Sequence, residues 1–120
     1  MYVFDSSAII EMIKGNEAVI EKYQEHPLLI INLVYGECYF YCIKTGVKKE
    51  KFSAVPFQLL EYTLLDIEEA MQLLYERKKA TKDFSFVDAI VYTVVKKHNL
   101  TLVTKDYGFK GLSNVEFITD

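Results

Sequence analysis

Met1 to Ile10, MYVFDSSAII, is the stretch that decides the fold. Tyr2, Val3 and Phe4 form a short apolar run of strand type, Asp5 ends it, and Ala8, Ile9 and Ile10 begin a helical pattern after Ser6 and Ser7. A strand that stops at an aspartate and turns into a helix leaves that carboxylate at the strand's C-terminal edge. In open α/β sheets this edge is where ligands and chemistry collect.

Working outward, the same alternation repeats. Ala8–Lys14 reads as a short helix stopped by Gly15, and Asn16 caps a second over Glu17–Gln24, with Pro27 beyond it. Leu28–Ile31 is a continuous apolar run, suited to a strand buried on both faces of a parallel sheet. Asn32 is expected to cap a helix from Leu33 to Lys44, closed by Gly46. Val47–Pro56 predicts a further short helix and Tyr62–Leu65 a third strand. Asp66 with Glu69 predicts the N-terminal capping pair of a helix reaching about Ala80. After a turn at Thr81–Phe84, Ser85 starts a helix with Val87, Ile90, Val91, Val94 and Val95 on its apolar side, ending near Asn99. Leu100–Thr104 and Val115–Ile118 predict the last two strands, with a loop over Asp106–Leu112 between them. Strands alternating with helices predict an α/β fold: three layers, α/β/α, around a central parallel five-stranded sheet with right-handed crossovers.

The 120 residues make one domain, 1–120. Half the chain is hydrophobic, and 8 Phe and 9 Tyr promise a packed interior rather than disorder. No apolar run approaches the ~20 residues of a membrane span, and the N-terminus does not read as a signal peptide; a cytoplasmic location is expected. The net charge of −3 speaks against a general nucleic-acid coat. Cys38 and Cys42, four apart, read as small apolar residues of one buried helix face, since neither His26 nor His98 has ligand spacing to them.

Four acids occupy comparable places in this layout. Asp5 follows the first strand and Glu37 lies early in the helix after the second. Asp88 lies in the first turn of the helix before the fourth strand, and Asp106 just after that strand, in LVTKDYGF. Each has an ordinary structural use: Asp5 as a helix cap, Asp88 as partner of Ser85 in a capping box, Glu37 as a solvated helix residue, Asp106 in an Asx turn. Converging, they would need a cation. Two carboxylates ~4 Å apart repel by roughly 1 kcal/mol in water and about 4 kcal/mol at a surface-like dielectric. Oxygen ligands without His or Cys select Mg²⁺ or Mn²⁺, which suit phosphodiester hydrolysis.

FDSSAII at Asp5, NLVYGE ending at Glu37, FSFVDAIVYTVVKK around Asp88 and LVTKDYGF around Asp106 resemble, in that order, the successive motifs of PIN-domain ribonucleases, most nearly the VapC-like toxins of type II toxin–antitoxin pairs. The resemblance runs from Tyr2 to Ile118. It implies metal-dependent RNA cleavage, with Asp5, Glu37, Asp88 and Asp106 in the catalytic, metal-binding places. Ser6 takes the hydroxyl position beside the first acid, and Thr104 the one before the last. Asp83, near Asp88 but outside the motif, reads first as a turn residue and second as an outer-shell acid. The resemblance also implies a homodimer and a cognate antitoxin that blocks the acidic groove. RNA must then be held locally, with Lys14, Lys44, Lys48, Lys49 and Lys105 as candidates. Tyr39, Phe40 and Tyr41 cannot all face one side of a helix, which leaves at least one for a dimer contact while the others pack in the core.

Two other readings compete. A catalytically inactive PIN-like scaffold would bind RNA or protein without turnover. A different Asp-centred enzyme fits less well: a receiver domain wants paired acids after the first strand, and a haloacid-dehalogenase-type phosphatase wants an acid where Ser7 stands. The glycine loops of nucleotide-binding enzymes are absent.

Overall fold

The computed structural model describes residues 1–119. The first strand, β1 (Tyr2–Phe4), leads into α1 (Ser6–Ile13) and α2 (Glu17–Tyr23). β2 (Leu28–Ile30) is followed by α3 (Asn32–Thr45) and α4 (Lys49–Ser53), and β3 (Phe57–Leu59) by α5 (Leu64–Arg77) and α6 (Phe86–Lys97). β4 (Thr101–Thr104), a 3-10 turn (Tyr107–Phe109) and β5 (Val115–Phe117) complete the fold. All five strands are parallel, in the order β3-β2-β1-β4-β5. The expected α/β architecture is therefore present.

The order fixes the layers. The chain steps from β1 to β2 to β3 in one direction, then crosses back to β4 and β5. Right-handed crossovers put the helices of the outward steps on one face and those of the return on the other. Accordingly α1 packs on α2 and α3, and α3 on α4, while α5 and α6 pack together. The strands are short but dry: Val3, Phe4, Ile30, Leu102 and Val103 are fully buried. A Lys97–Asp66 ion pair of 3.0 Å ties α6 to α5. Cys38 and Cys42 are free, buried residues of α3, as expected.

Helix termini follow local chemistry. Gly15 and Gly46 both adopt the positive φ that lets a chain leave a helix. The larger differences from expectation sit between residues 31 and 80. Asn32 is already helical, the residue before α3 is Ile31, and the Asn32 amide oxygen accepts instead from the Tyr62 hydroxyl at 2.8 Å. The helix after Gly46 is confined to Lys49–Ser53. The third strand is Phe57–Leu59, not Tyr62–Leu65. Thr63 acts as a cap rather than a strand residue: its hydroxyl accepts from Asp66 N and its own N–H donates to Asp66 Oδ2. Asp66 is thus the third residue of the helix and partner of Thr63, not the cap itself, and α5 ends at Arg77 rather than Ala80.

Candidate functional site

The sheet reverses its winding between β1 and β4: the chain leaves β1 toward β2 and leaves β4 toward β5. Loops leaving adjacent parallel strands in opposite directions open a crevice at their C-terminal ends. Asp5 leaves β1 at this point, and Asp106 follows β4.

Asp5 is 4% exposed and held on both carboxylate oxygens. Oδ1 accepts from the Ser7 hydroxyl at 2.7 Å and from Ala8 N at 3.0 Å, so the acid also caps α1. Oδ2 accepts from the Thr104 hydroxyl. Burial nevertheless dominates. It raises the pKa to about 6, against the pull of these three donors, and the nearby Asp88 charge adds to the rise.

Thr104, fully buried at the end of β4, links two acids. Its proton goes to Asp5, and its oxygen accepts the backbone N–H of Asp106 at 2.9 Å. Ser7 makes a similar link, donating to Asp5 while its oxygen accepts Lys105 N at 2.8 Å. The two hydroxyl oxygens lie 3.2 Å apart. Ionised Asp5 accepts a hydrogen bond from each, so these hydroxyls fix the carboxylate from both sides.

Asp88 forms the expected capping box: Ser85 N donates to Oδ2 at 2.9 Å, and Asp88 N donates to the Ser85 hydroxyl at 3.1 Å. Burial raises this pKa also to about 6, the capping box opposes it, and the Asp106 and Glu37 charges add to it. Glu37 is exposed along one side, but the groove wall desolvates it enough to raise its pKa, while the Ser6 hydroxyl pulls the other way. Asp106 accepts Gly108 N on Oδ1 at 2.8 Å, the expected Asx-type turn.

The ordinary structural uses hold, while the four acids are brought no closer than electrostatic reach of Asp88. Three of the four acids cap or turn the chain, and through Asp88 all four lie within mutual electrostatic reach. They do not form a closed ligand set: among the described residues no three His, Cys, Asp or Glu side chains are grouped closely enough to hold a metal ion. The donor chemistry still fits a hard dication. Mg²⁺ keeps most of its waters and needs only one or two direct carboxylates, and Asp5 and Asp88, desolvated and within electrostatic reach of each other, are carboxyls of that kind.

Sequence reasoning placed the hydroxyl beside the first acid at Ser6. Ser6 pairs with Glu37, and Ser7 holds Asp5. Glu11 was not singled out at all. It is buried on α1, one turn after Ser7, and accepts from Asn16 Nδ2 and Lys105 Nζ, both at 3.1 Å, with Lys14 at 3.5 Å. These partners, Asn16 first, lower its pKa. Residue 105 is thus gripped twice by α1, through its backbone by Ser7 and its side chain by Glu11. The spacing of Ser7 and Glu11, four apart on a helix, was the available signal. Arg77, the sole arginine, donates to the carbonyls of Gly108 and Lys110 and so braces the turn that carries Asp106. Asp83 is exposed and lies in a turn, as expected.

Comparisons with known proteins agree with this layout. No curated protein matches the chain. Three solved structures share the fold over nearly the whole chain. A toxin–antitoxin complex from Klebsiella pneumoniae aligns with a TM-score of 0.79 at 20% identity, covering 97% of this chain and 96% of that one. VapBC2 from Rickettsia felis, bound to a DNA fragment from their promoter, aligns at 0.75 and 16% identity, covering 98% of each. PAE2754 from Pyrobaculum aerophilum aligns at 0.71 and 22% identity, covering 97% and 87%. The family model of the PIN domain matches residues 2–115, so this chain belongs to the PIN-domain family.

Proposed function

We propose that this protein is a Mg²⁺- or Mn²⁺-dependent endoribonuclease and the toxin of a toxin–antitoxin pair. The observation that carries the reading is the Asp5–Asp88 pair: two desolvated carboxyls, both with pKa near 6, at the reversal point of a PIN-domain sheet. At neutral pH both are ionised at an energetic cost that a bound dication offsets. Asp5, Glu37, Asp88 and Asp106 are the residues assigned to hold it. When bound, the ion supplies positive charge to the phosphate oxygens and acidity to water. Thr104 and Ser7 hold Asp5 ionised and oriented, and Thr104 also fixes the backbone at Asp106. Ser6 does for Glu37 what Ser7 does for Asp5.

The partners follow from the same reading. One structural relative is described as a toxin–antitoxin complex and another as VapBC2 on a fragment of their promoter DNA, which supports a cognate antitoxin here. An apolar cavity of about 450 Å³, lined by residues such as Ile9, Met12, Ile20, Tyr23 and Phe52, contains none of the four acids and suits an apolar segment of that antitoxin. A homodimer fits the exposed Leu59, Leu64 and Leu65 beside the open edge of β3. Among the described residues no helix is long and apolar enough to cross a membrane.

Cleavage of a single-stranded RNA in Mn²⁺ tests the enzyme. Wild type is expected to cut and Asp5→Asn to lose at least about 100-fold with the fold intact; equal cleavage by both proteins rejects the assignment. The wide spacing of the acids favours one other reading, an inactive PIN-like scaffold. It would show no cleavage and no heat of Mn²⁺ binding.

A further inference from the structure

Helix α3 carries a surface that the acids do not explain. An open groove of about 500 Å³ lies between α1 and α3, lined by Ser6, Ile10, Gly36, Glu37, Phe40 and Lys44 among others. It begins at Glu37 and runs along the helix. We propose that this groove is a subsite for single-stranded RNA, in which the Phe40 ring stacks on a base and the Lys44 ammonium takes a flanking phosphate. The inference rests on the ribonuclease reading of the same site.

Three observations carry it. First, Phe40 is 66% exposed, whereas its neighbour Tyr39 stacks on Phe52 at 6.0 Å and Tyr41 is half-buried. Second, the residue one turn before Phe40 is Gly36. A glycine inside a helix costs about 1 kcal/mol relative to alanine, yet a Cβ at Gly36 would meet nothing within 4 Å, and its φ is not positive. Nothing in the fold requires the glycine. Side chains of a helix lean toward its N-terminus, so Phe40 leans over this bare turn and toward Glu37. A Cβ at position 36 does not reach the Phe40 ring; only a longer side chain there would enter the groove beside it.

Third, the charge is local and uncommitted. Lys44, Lys48, Lys49 and Lys51 fall within eight positions whose only acid is Glu50, in a chain of net charge −3. Among the described residues none of these four lysines forms an ion pair. Lys14 and Lys105 are both paired to Glu11, Lys22 to Glu116 and Lys97 to Asp66. Lys44 lies seven residues, about 10 Å, beyond Glu37 along the axis, a reach of one or two nucleotides. A phenyl ring stacks only on a base free of its own stack, so the groove selects single strands over duplex. A second copy of the chain is the other candidate occupant, because Ile43 beside Phe40 is 64% exposed. Lys44, Lys48, Lys49 and Lys51, none of them in an ion pair among the described residues, favour a polyanion over that apolar contact.

The test is fluorescence anisotropy of a labelled, unstructured pyrimidine RNA of about 12 nucleotides, in EDTA, with the full chain. Phe40→Ala is expected to bind about 5- to 100-fold more weakly, and Phe40→Tyr to restore binding. Lys44→Gln should flatten the slope of log K against log salt by about 0.7. Gly36→Leu should weaken binding while the melting temperature holds or rises. Binding by Phe40→Ala within about two-fold of wild type overturns the subsite. So does a loss of binding that accompanies a shift from dimer to monomer in sedimentation, which would make the face a contact between copies. The two readings fail separately: a wild type that binds and cuts RNA beside an unaffected Phe40→Ala removes only the subsite. A wild type that neither binds nor cuts removes the ribonuclease assignment as well.

Discussion

The hydroxyl of Thr104 at the end of β4 donates to Oδ2 of Asp5 at the end of β1, closing a contact between residues 99 positions apart. Its oxygen simultaneously accepts Asp106 N. One buried side chain thus fixes a carboxylate and the backbone of a second acid. Thr104→Val keeps the shape and removes both bonds. Without the donor, the Asp5 pKa should climb further above about 6, since that hydroxyl favours the ionised form. Mn²⁺ affinity measured by calorimetry near pH 7 should fall by about 10- to 100-fold, with the deficit narrowing at higher pH as Asp5 ionises. The fold should lose about 1–3 kcal/mol through the unpaired Asp106 N–H, read by urea unfolding.

Asp5 and Asp88 give the apo protein an unusual pH dependence. Their folded pKa values, about 6, lie above the ordinary value of 3.8. Between these limits the folded state binds more protons than the unfolded one, so stability falls as pH rises through that window. The melting temperature without metal should therefore be higher near pH 5 than near pH 7.5, by several degrees for roughly 1–3 kcal/mol. Glu11 and Asp66, whose pKa values are lowered, act oppositely and reduce stability under more acid conditions. Added Mn²⁺ should reverse the trend, stabilising more at the higher pH, because the ion competes with protons for the same carboxyls. Thermal melts at both pH values, with and without Mn²⁺, check this.

Gly108 tests how tightly Asp106 is placed. A Cβ at this position would sit 3.1 Å from Asp106 Oδ1, closer than ordinary contact. Gly108→Ala should push the carboxylate off its bond to the residue 108 N–H. Cleavage is expected to drop by about 10-fold or more with a stability change under about 1 kcal/mol, measured by RNA turnover and urea unfolding. Unchanged turnover would show that Asp106 tolerates displacement.

Much of this was legible in the sequence because strand ends and helix starts are written in local residues. Asp5 after a strand, Ser85 three before Asp88, and Gly46 after α3 each fix a boundary through one hydrogen bond or one backbone angle. The third strand was not legible. Phe57–Leu59 is three residues long and half-exposed, so it has little hydrophobic pattern, and its pairing with β2 decides it. Tyr62–Leu65 has the composition of a strand, but Thr63 and Asp66 close a capping box that starts α5 instead. At the site, the four acids could be chosen by position, yet the choice between Ser6 and Ser7 depended on which side of α1 meets β4. The part-buried Glu11–Lys105 contact spans 94 positions and left only the Ser7–Glu11 spacing as a trace.

The most direct measurement is calorimetric titration of Mn²⁺ into wild type, Asp5→Asn and Asp88→Asn near neutral pH. Wild type should show saturable binding that releases protons, and each variant should lose most of it while melting at or above the wild-type temperature without metal. A wild type that takes up no Mn²⁺, or variants that bind it as tightly, would contradict the claim that these distant carboxylates act as one site for a hard dication.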